Sequence, residues 1–231
     1  RPPLDFNQAW TVRWLTKVKL AGKVIHGGIF MKIVFCTLHV RRSTQAISLA
    51  AGCLASALPE PLSQTSTLVD AFPDQTDQEI ITMVLQPQPD VVASIEIAKK
   101  LHKQAPHIRL IAGGPEATGD AEGLLSAAPW TALVHGEGEA AFKGLINALA
   151  ENRPAQPLPG VSWVSQGNLF SGPEYCPHDL NKAPSPWLSG VLKPEASGGV
   201  LWEVARGCAF SCDYCFEARD HGGVRGVDRK R

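Results

Sequence analysis

Short apolar runs alternate with helix-like segments over residues 31–151, and this alternation restricts the fold more than any other feature. The predicted strands are residues 32–36, 67–69, 90–93, 108–112 and 131–134. The predicted helices are residues 43–58, 76–85, 94–104, 120–127 and 138–150. Short apolar strands separated by helices pair in parallel and are covered on both faces. We therefore expect an α/β domain with a flavodoxin-like (Rossmann-type), five-stranded, doubly wound parallel sheet.

Two glycine-containing turns follow the fourth and fifth predicted strands. Their sequences are Gly113-Gly114-Pro115-Glu116 and His135-Gly136-Glu137-Gly138-Glu139. Ligands of doubly wound sheets bind beyond the carboxyl ends of the strands, and glycine lets the backbone approach them closely. The turns therefore predict a ligand site, although tight strand-to-helix connections alone would explain them equally well.

Three cysteines, Cys208, Cys212 and Cys215, have the spacing Cys-x-x-x-Cys-x-x-Cys and follow an apolar run at 200–204 that predicts a short strand. Crowded thiolates repel one another unless a cation shares their charge, so the spacing indicates a metal or iron–sulfur site. Three cysteines can hold a four-iron cluster with one iron left open.

A structural zinc site is the alternative for these cysteines. Such sites normally use two Cys-x-x-Cys pairs or a later histidine pair, and this chain has no second pair. The nearest candidates for a fourth ligand are Cys176, His178 and His221.

The cysteine motif resembles that of the radical S-adenosylmethionine (SAM) enzymes. The resemblance implies that Cys208, Cys212 and Cys215 hold a [4Fe–4S] cluster, that SAM chelates the open iron, and that Tyr214 lies against the adenine. It also implies that residues 199–231 are the first strand and cluster loop of a (β/α) barrel. Because the later barrel strands are absent, we expect a truncated portion of a longer enzyme that is inactive alone.

Residues 31–151, followed by this loop, resemble the cobalamin-binding subgroup of radical-SAM enzymes. The resemblance implies that cobalamin lies against the two glycine turns, at Gly113, Gly114, Pro115, Glu116, Gly136 and Glu137. The Asp-x-His-x-x-Gly signature of the cobalamin mutases is absent. The predicted strand-to-helix junction at Ala93-Ser94 also lacks the longer loop usual in the family. A Rossmann domain that no longer binds cobalamin is therefore a further reading.

The remaining segments differ in composition from this domain. Residues 1–30 are basic and aperiodic, and we interpret them as an extension outside the core. Residues 152–198 are rich in proline and glycine and predict a connector that contains a small hairpin, with Trp163 and Trp187 packed against a neighbour.

The composition excludes several classes of partner. The chain has 22 basic and 22 acidic residues, so neither nucleic acid nor an anionic membrane is expected as a partner. The clustered cysteines are typical of a cytoplasmic cofactor site rather than of a disulfide framework. The resemblance described above implies a radical-SAM enzyme that methylates or rearranges an unidentified small molecule, and we expect it to take electrons from a flavodoxin or ferredoxin. The rival hypothesis is a non-catalytic ligand-binding module with a small zinc site.

Overall fold

The computed structural model describes residues 33–38, 48–60, 62–71, 83–86, 91–151, 157–165, 168–173, 179–194, 200–210, 212–213 and 223–228. The strands are β1 (Val34–Leu38), β2 (Thr67–Ala71), β3 (Met83–Gln86), β4 (Ile111–Gly113), β5 (Ala132–Val134), β6 (Val161–Ser165), β7 (Asn168–Ser171), β8 (Ala205–Arg206) and β9 (Arg225–Gly226). The helices are α1 (Leu49–Ala57), α2 (Leu62–Thr65), α3 (Val91–Gln104), α4 (Pro115–Gly119), α5 (Ala121–Ala127) and α6 (Gly138–Ala150). The predicted extension at 1–30 lies outside the described residues.

The main sheet has the strand order β2-β1-β3-β4-β5-β6-β7. Strands β1 to β5 are parallel, whereas β6 and β7 are antiparallel to their neighbours. The predicted α/β class is confirmed, but the described residues form a sheet of seven strands instead of five. The predicted hairpin adds to the edge of β5 because Val161 and Trp163 bury their side chains in the core.

The sequence prediction was wrong between residues 83 and 93. Met83–Gln86, predicted as the end of a helix, is β3 and lies between β1 and β4. Residues 91–93, predicted as a strand, are the first turn of α3. Periodicity cannot separate a short buried strand from a helix end, and the capping pattern upstream favoured the helix. The junction at Ala93-Ser94 therefore lies inside α3, and residues 87–90 connect β3 to it.

The apolar run at 200–204 is not a strand, so the predicted barrel strand is wrong at these residues. Ordered pairing begins one residue later, where β8 forms a short antiparallel ladder with β9. Val200, Trp202 and Val204 are 50%, 74% and 59% exposed. Among the described residues no strand pairs with this run, and the carbonyl of Val204 accepts a hydrogen bond, at 2.9 Å from the backbone N–H of Val227, at the end of the β8–β9 ladder.

Two apolar clusters cover the two faces of the sheet. On one face Phe35 and Phe142 pack edge to face, with ring centroids 5.4 Å apart, among residues of α1 and α6. On the other face Ala98 of α3 and Leu124 of α5 pack around Leu110. Burial of these faces fixes the helices on the sheet and so positions the turns at its carboxyl edge. No helix in the described part of the chain is long and apolar enough to cross a bilayer.

Candidate functional site

A cleft of about 380 Å³ opens at the carboxyl ends of β4 and β5. Of the predicted site residues, the cleft is lined by Gly113, Gly114, Pro115, Gly136 and Glu137. Helix α1 supplies a second wall, through Leu49, Ala50, Cys53 and Leu54. The cleft is thus at the edge where parallel sheets bind ligands.

Glu116 differs from the other predicted site residues. It is exposed on the first turn of α4 and does not line the cleft. The chain reverses sharply just before it, where Gly114 has φ +107° and ψ −175°. That backbone region is open almost only to glycine, so the glycine requirement at this turn is conformational.

Thr118 joins the two glycine turns, and sequence reasoning did not identify it. Its Oγ1 accepts a hydrogen bond from the backbone N–H of Gly136 at 2.9 Å and donates one to the carbonyl oxygen of Gly114 at 3.0 Å. The threonine lies four residues after Gly114 and only the folded α4 brings it to Gly136. The hydroxyl thereby fixes the spacing of the two turns that form the floor of the cleft.

A group of five charged side chains lies on the side of the cleft that faces the cysteine segment, and all of them except Arg225 line the cleft. We call it the Arg206 cluster, and its members are Glu137, Glu139, Glu203, Arg206 and Arg225. Arg206 Nη2 lies 2.7 Å from Glu139 Oε1 and 2.7 Å from Glu203 Oε2, and Arg206 Nη1 lies 3.1 Å from Glu137 Oε2. Arg225 also donates to the Glu137 carboxylate.

The charges of this cluster support one another although they are largely buried. Both Glu137 and Glu139 are buried, and each faces a guanidinium. Burial alone would lower the pKa of Arg206, but the hydrogen bonds that it donates to Glu203 and Glu139 outweigh that effect and raise the pKa above its usual value. Arg206 therefore stays charged. Its guanidinium is the positively charged partner of the buried carboxylates, at a place that is largely shielded from bulk water.

Cys53 is the thiol in the α1 wall of the cleft. Burial, reinforced by the nearby Glu139 and Glu203 carboxylates, raises its pKa from 9.0 to about 12, although Arg206 partly opposes the shift. The thiol is thus protonated at neutral pH and acts as a small apolar surface. It contrasts with thiols that hold metals, which must be deprotonated.

His135 lies at the other side of the β5 turn and faces the hairpin. Its Nε2 is 2.7 Å from Ser162 Oγ, which in turn donates to Ser171 Oγ at 2.9 Å. Burial lowers the pKa of His135, although a hydrogen bond to the backbone of Ala117 partly opposes the shift. These contacts join β5 to β6 and β7, and the ring does not line the cleft.

The cysteine motif is described in part. Cys208 and Cys212 are half-buried, and Cys208 Sγ accepts a hydrogen bond from the backbone N–H of Phe210 at 3.5 Å. An amide that donates to a sulfur suits a thiolate ligand, because such bonds stabilise its negative charge. Tyr214 and Cys215 lie outside the described residues.

The zinc alternative cannot be built from the described residues. They hold no group of three or more His, Cys, Asp or Glu side chains arranged around a metal ion. Its candidate fourth ligands, Cys176, His178 and His221, lie outside the described ranges.

Comparison with known proteins shows which proteins this chain resembles. No protein-family model matches the sequence. The cobalamin-dependent radical SAM methyltransferase TokK of Streptomyces tokunonensis is 30% identical over 150 residues, which are 55% of this chain and 22% of that protein. The 2-(S-pantetheinyl)-carbapenam-3-carboxylate methyltransferase of Streptantibioticus cattleyicolor is 32% identical over 133 residues, or 52% and 19%. The chain thus spans about a fifth of the length of these relatives.

Two solved structures share the fold. The cobalamin-dependent SAM radical enzyme OxsB, with aqua-cobalamin and SAM bound, superposes with a TM-score of 0.59 at 17% identity, over 85% of this chain and 30% of that one. The radical SAM methyltransferase TsrM of Kitasatospora setae, with cobalamin and a [4Fe-4S] cluster bound, gives 0.58 at 14%, over 85% and 43%. The predicted resemblance to cobalamin-binding radical-SAM proteins is confirmed.

Proposed function

We propose that this chain is part of a cobalamin-dependent radical-SAM enzyme. One observation carries the proposal: the cleft at the carboxyl edge of the sheet is bounded on its far side by Arg206, two residues before Cys208. A ligand in the cleft would therefore lie beside the cysteine motif. Because the curated relatives are several times longer, the activity belongs to a longer protein of which these residues are one portion.

The glycine turns would hold the cobalamin. Gly113, Gly114 and Gly136 present backbone without side chains to the cleft, and the apolar side chains of Leu49 and Leu54 face them. Such a concave site, mainly apolar with a few polar groups, would contact one part of a large cofactor. Pro115 and Glu137 complete the turn surfaces, and the exposed Glu116 would contact the cofactor only from the rim.

The cysteine motif would hold the cluster and SAM. Cys208, Cys212 and Cys215 would be the three thiolate ligands, and Tyr214 would contact the adenine, as the resemblance implies. When bound, these cofactors supply the one-electron cleavage of SAM. The chain's own residues position them: the Phe210 amide stabilises the Cys208 thiolate, and the Arg206 cluster holds the start of the loop against the sheet.

Methyl transfer to a small molecule is the reaction that the comparisons favour over rearrangement. Both curated relatives described above are named as methyltransferases. We propose that electrons come from a flavodoxin or ferredoxin and that the enzyme works in the cytoplasm, where thiols stay reduced.

Metal and cobalamin analysis of one anaerobic preparation tests the proposal. After reconstitution with iron and sulfide, we expect about four irons and four sulfides per chain, lost when Cys208, Cys212 or Cys215 is replaced by alanine. Hydroxocobalamin should bind and shift its visible spectrum. Cys53→Ala is the matched control, since this thiol is outside the motif and should leave the iron content unchanged. Tight zinc with no iron would overturn the proposal.

The rival hypotheses give different results in the same preparation. A non-catalytic ligand-binding module would hold one zinc and no sulfide. A radical-SAM protein whose Rossmann domain has lost cobalamin would hold the cluster but leave the hydroxocobalamin spectrum unchanged. One ground for that second rival, the short junction at Ala93-Ser94, is removed because that pair lies within α3. The other ground, the absent Asp-x-His-x-x-Gly signature, remains.

A further inference from the structure

The sheet domain and the cysteine segment are joined through one guanidinium. Arg206 reaches Glu139, 67 residues earlier in the sequence, with Nη2 and Nη1 at 2.7 and 3.3 Å from the two carboxylate oxygens. It also binds Glu203 of its own segment through Nε and Nη2, at 2.9 and 2.7 Å. The planar fork is thus held by carboxylates from both parts of the molecule.

Such bidentate contacts define orientation as well as distance. A guanidinium presents its N–H groups in a fixed plane, so two carboxylates in register with it leave little freedom. Glu139 lies in the first turn of α6 and Glu137 just before it, and both are buried. The acceptors are therefore on a rigid element, and Arg206 is anchored to the same edge of the sheet as the cleft.

The anchor lies close to the first cysteine. Only Gly207 separates Arg206 from Cys208, so their Cα atoms are at most about 7.6 Å apart. The guanidinium also lines the cleft together with Glu203. One side chain is thereby in contact with the cleft, the sheet domain and the start of the cysteine loop.

We propose that Arg206 is a positioning residue that couples the cleft to the cysteine loop: its contacts with Glu137 and Glu139 hold Cys208 in place, and a ligand in the cleft strengthens that hold. The inference rests on the proposed function for the identity of the ligand, cobalamin. Coupling of this kind is reciprocal. If the bound ligand favours the ordered loop by some factor, the ordered loop favours ligand binding by the same factor, so a loosened loop lowers the affinity for the ligand.

The experiment measures thiol reactivity in the full chain without iron. Cys208 and Cys212 are alkylated with iodoacetamide in the absence and presence of hydroxocobalamin, and the modified peptides are quantified by mass spectrometry. We expect Arg206→Gln to raise the rate at Cys208 by about fivefold or more and to weaken hydroxocobalamin binding by a similar factor. Arg206→Lys keeps the charge but loses the planar guanidinium. We expect its alkylation rate and its affinity for hydroxocobalamin to lie between those of the wild type and those of Arg206→Gln.

Two further variants separate positioning from loss of folding. Arg206→Gln leaves buried carboxylates with less counter-charge, so Arg206→Gln combined with Glu139→Gln relieves that charge without restoring the contact. We expect the double variant to recover the melting temperature but to keep the fast alkylation. Arg109→Lys is the matched control, because Arg109 is exposed and donates to the Leu149 carbonyl at 3.1 Å, away from the cleft.

The results separate this inference from the proposed function. If wild-type protein binds hydroxocobalamin and Arg206→Gln changes neither its affinity nor the alkylation rate, the positioning role is overturned and the proposed function stands. If wild-type protein does not bind it while Cys208 still depends on Arg206, the cobalamin assignment fails and the anchor remains. Recovery of slow alkylation in the double variant would also overturn the inference, because charge balance alone would then explain the effect.

Discussion

The hydroxyl of Thr118 accepts a hydrogen bond from the backbone N–H of Gly136, with 2.9 Å between oxygen and nitrogen. This bond ties the turn after β4 to the turn after β5, and the same hydroxyl donates to Gly114. The two turns therefore behave as one floor for the cleft. Their relative position depends on a side chain that belongs to neither glycine motif.

Replacement of Thr118 by valine tests this tie. Valine has the same shape but cannot accept the hydrogen bond from the backbone N–H of Gly136. We therefore expect a loss of about 1–2 kcal/mol in the free energy of unfolding and weaker hydroxocobalamin binding. Urea unfolding and an absorbance titration measure the two effects. Thr118→Ser, which keeps the hydroxyl, is the control. Equal behaviour of the valine and serine variants would show that the bond is dispensable.

Gly207 should not tolerate a side chain. It has φ +99°, and a Cβ there would lie 2.4 Å from the carbonyl oxygen of Gly223. Gly190 has a similar φ of +77° but open space around it. Gly190→Ala should therefore cost only the backbone strain, about 1 kcal/mol, whereas Gly207→Ala should cost more and also reduce iron incorporation at the adjacent Cys208.

Melting temperature and bound iron per chain measure that comparison. Both alanine variants carry the backbone strain, so the difference between their melting temperatures reports the clash with Gly223. An equal loss of stability in the two variants, with iron retained in both, would contradict the close approach of the two backbone segments.

Cys53 makes stability depend on alkaline pH. Its folded pKa of about 12 lies above the ordinary 9.0, so the folded state holds the proton more tightly than the unfolded state. The stabilisation is fully present below about pH 9 and is lost as the pH rises toward 12, with a slope approaching about 1.4 kcal/mol per pH unit. Unfolding of wild type and Cys53→Ala between about pH 8 and 11 should show a difference that shrinks with pH. A difference in the free energy of unfolding between the two proteins that stays constant with pH would contradict this prediction.

His135 gives the opposite dependence at acid pH. Burial lowers its folded pKa below 6.5, so the unfolded state takes up the proton first as the pH falls. Its contribution is present above about pH 6.5 and is lost below that value. Urea unfolding at about pH 7.5 and 5.5 should show an acid-induced loss that His135→Gln reduces. His107→Gln, a histidine replacement at an exposed position, is the matched control.

The sequence predicted the elements whose patterns have a single interpretation. Helix α6 has the predicted bounds, because its apolar face repeats over thirteen residues after a glycine turn. At β3 the four-residue strand is too short to show a period, and the prediction failed there. The addition of β6 to β5 was also beyond local pattern, since it depends on pairing between Val134 and Val161.

In the candidate site, too, some features are visible in the local sequence and others depend on the fold. Glycine turns at the strand ends are visible in the sequence, and five of the six predicted residues line the cleft. Arg206 and Thr118 were missed, because an arginine before a cysteine motif or a threonine in a turn has no local signature of its partners. Only the fold brings Arg206 to Glu139 and Thr118 to Gly136.

The burial of the Arg206 cluster determines how the molecule responds to salt. Mobile ions screen charges in water over about 10 Å at 0.1 M and about 3 Å at 1 M, but they screen buried charges far less. An exposed ion pair such as Lys99 with Glu96 loses its attraction in concentrated salt. The contact between the sheet edge and the cysteine segment should persist under those conditions, so the two parts stay joined at ionic strengths that remove the surface pairs.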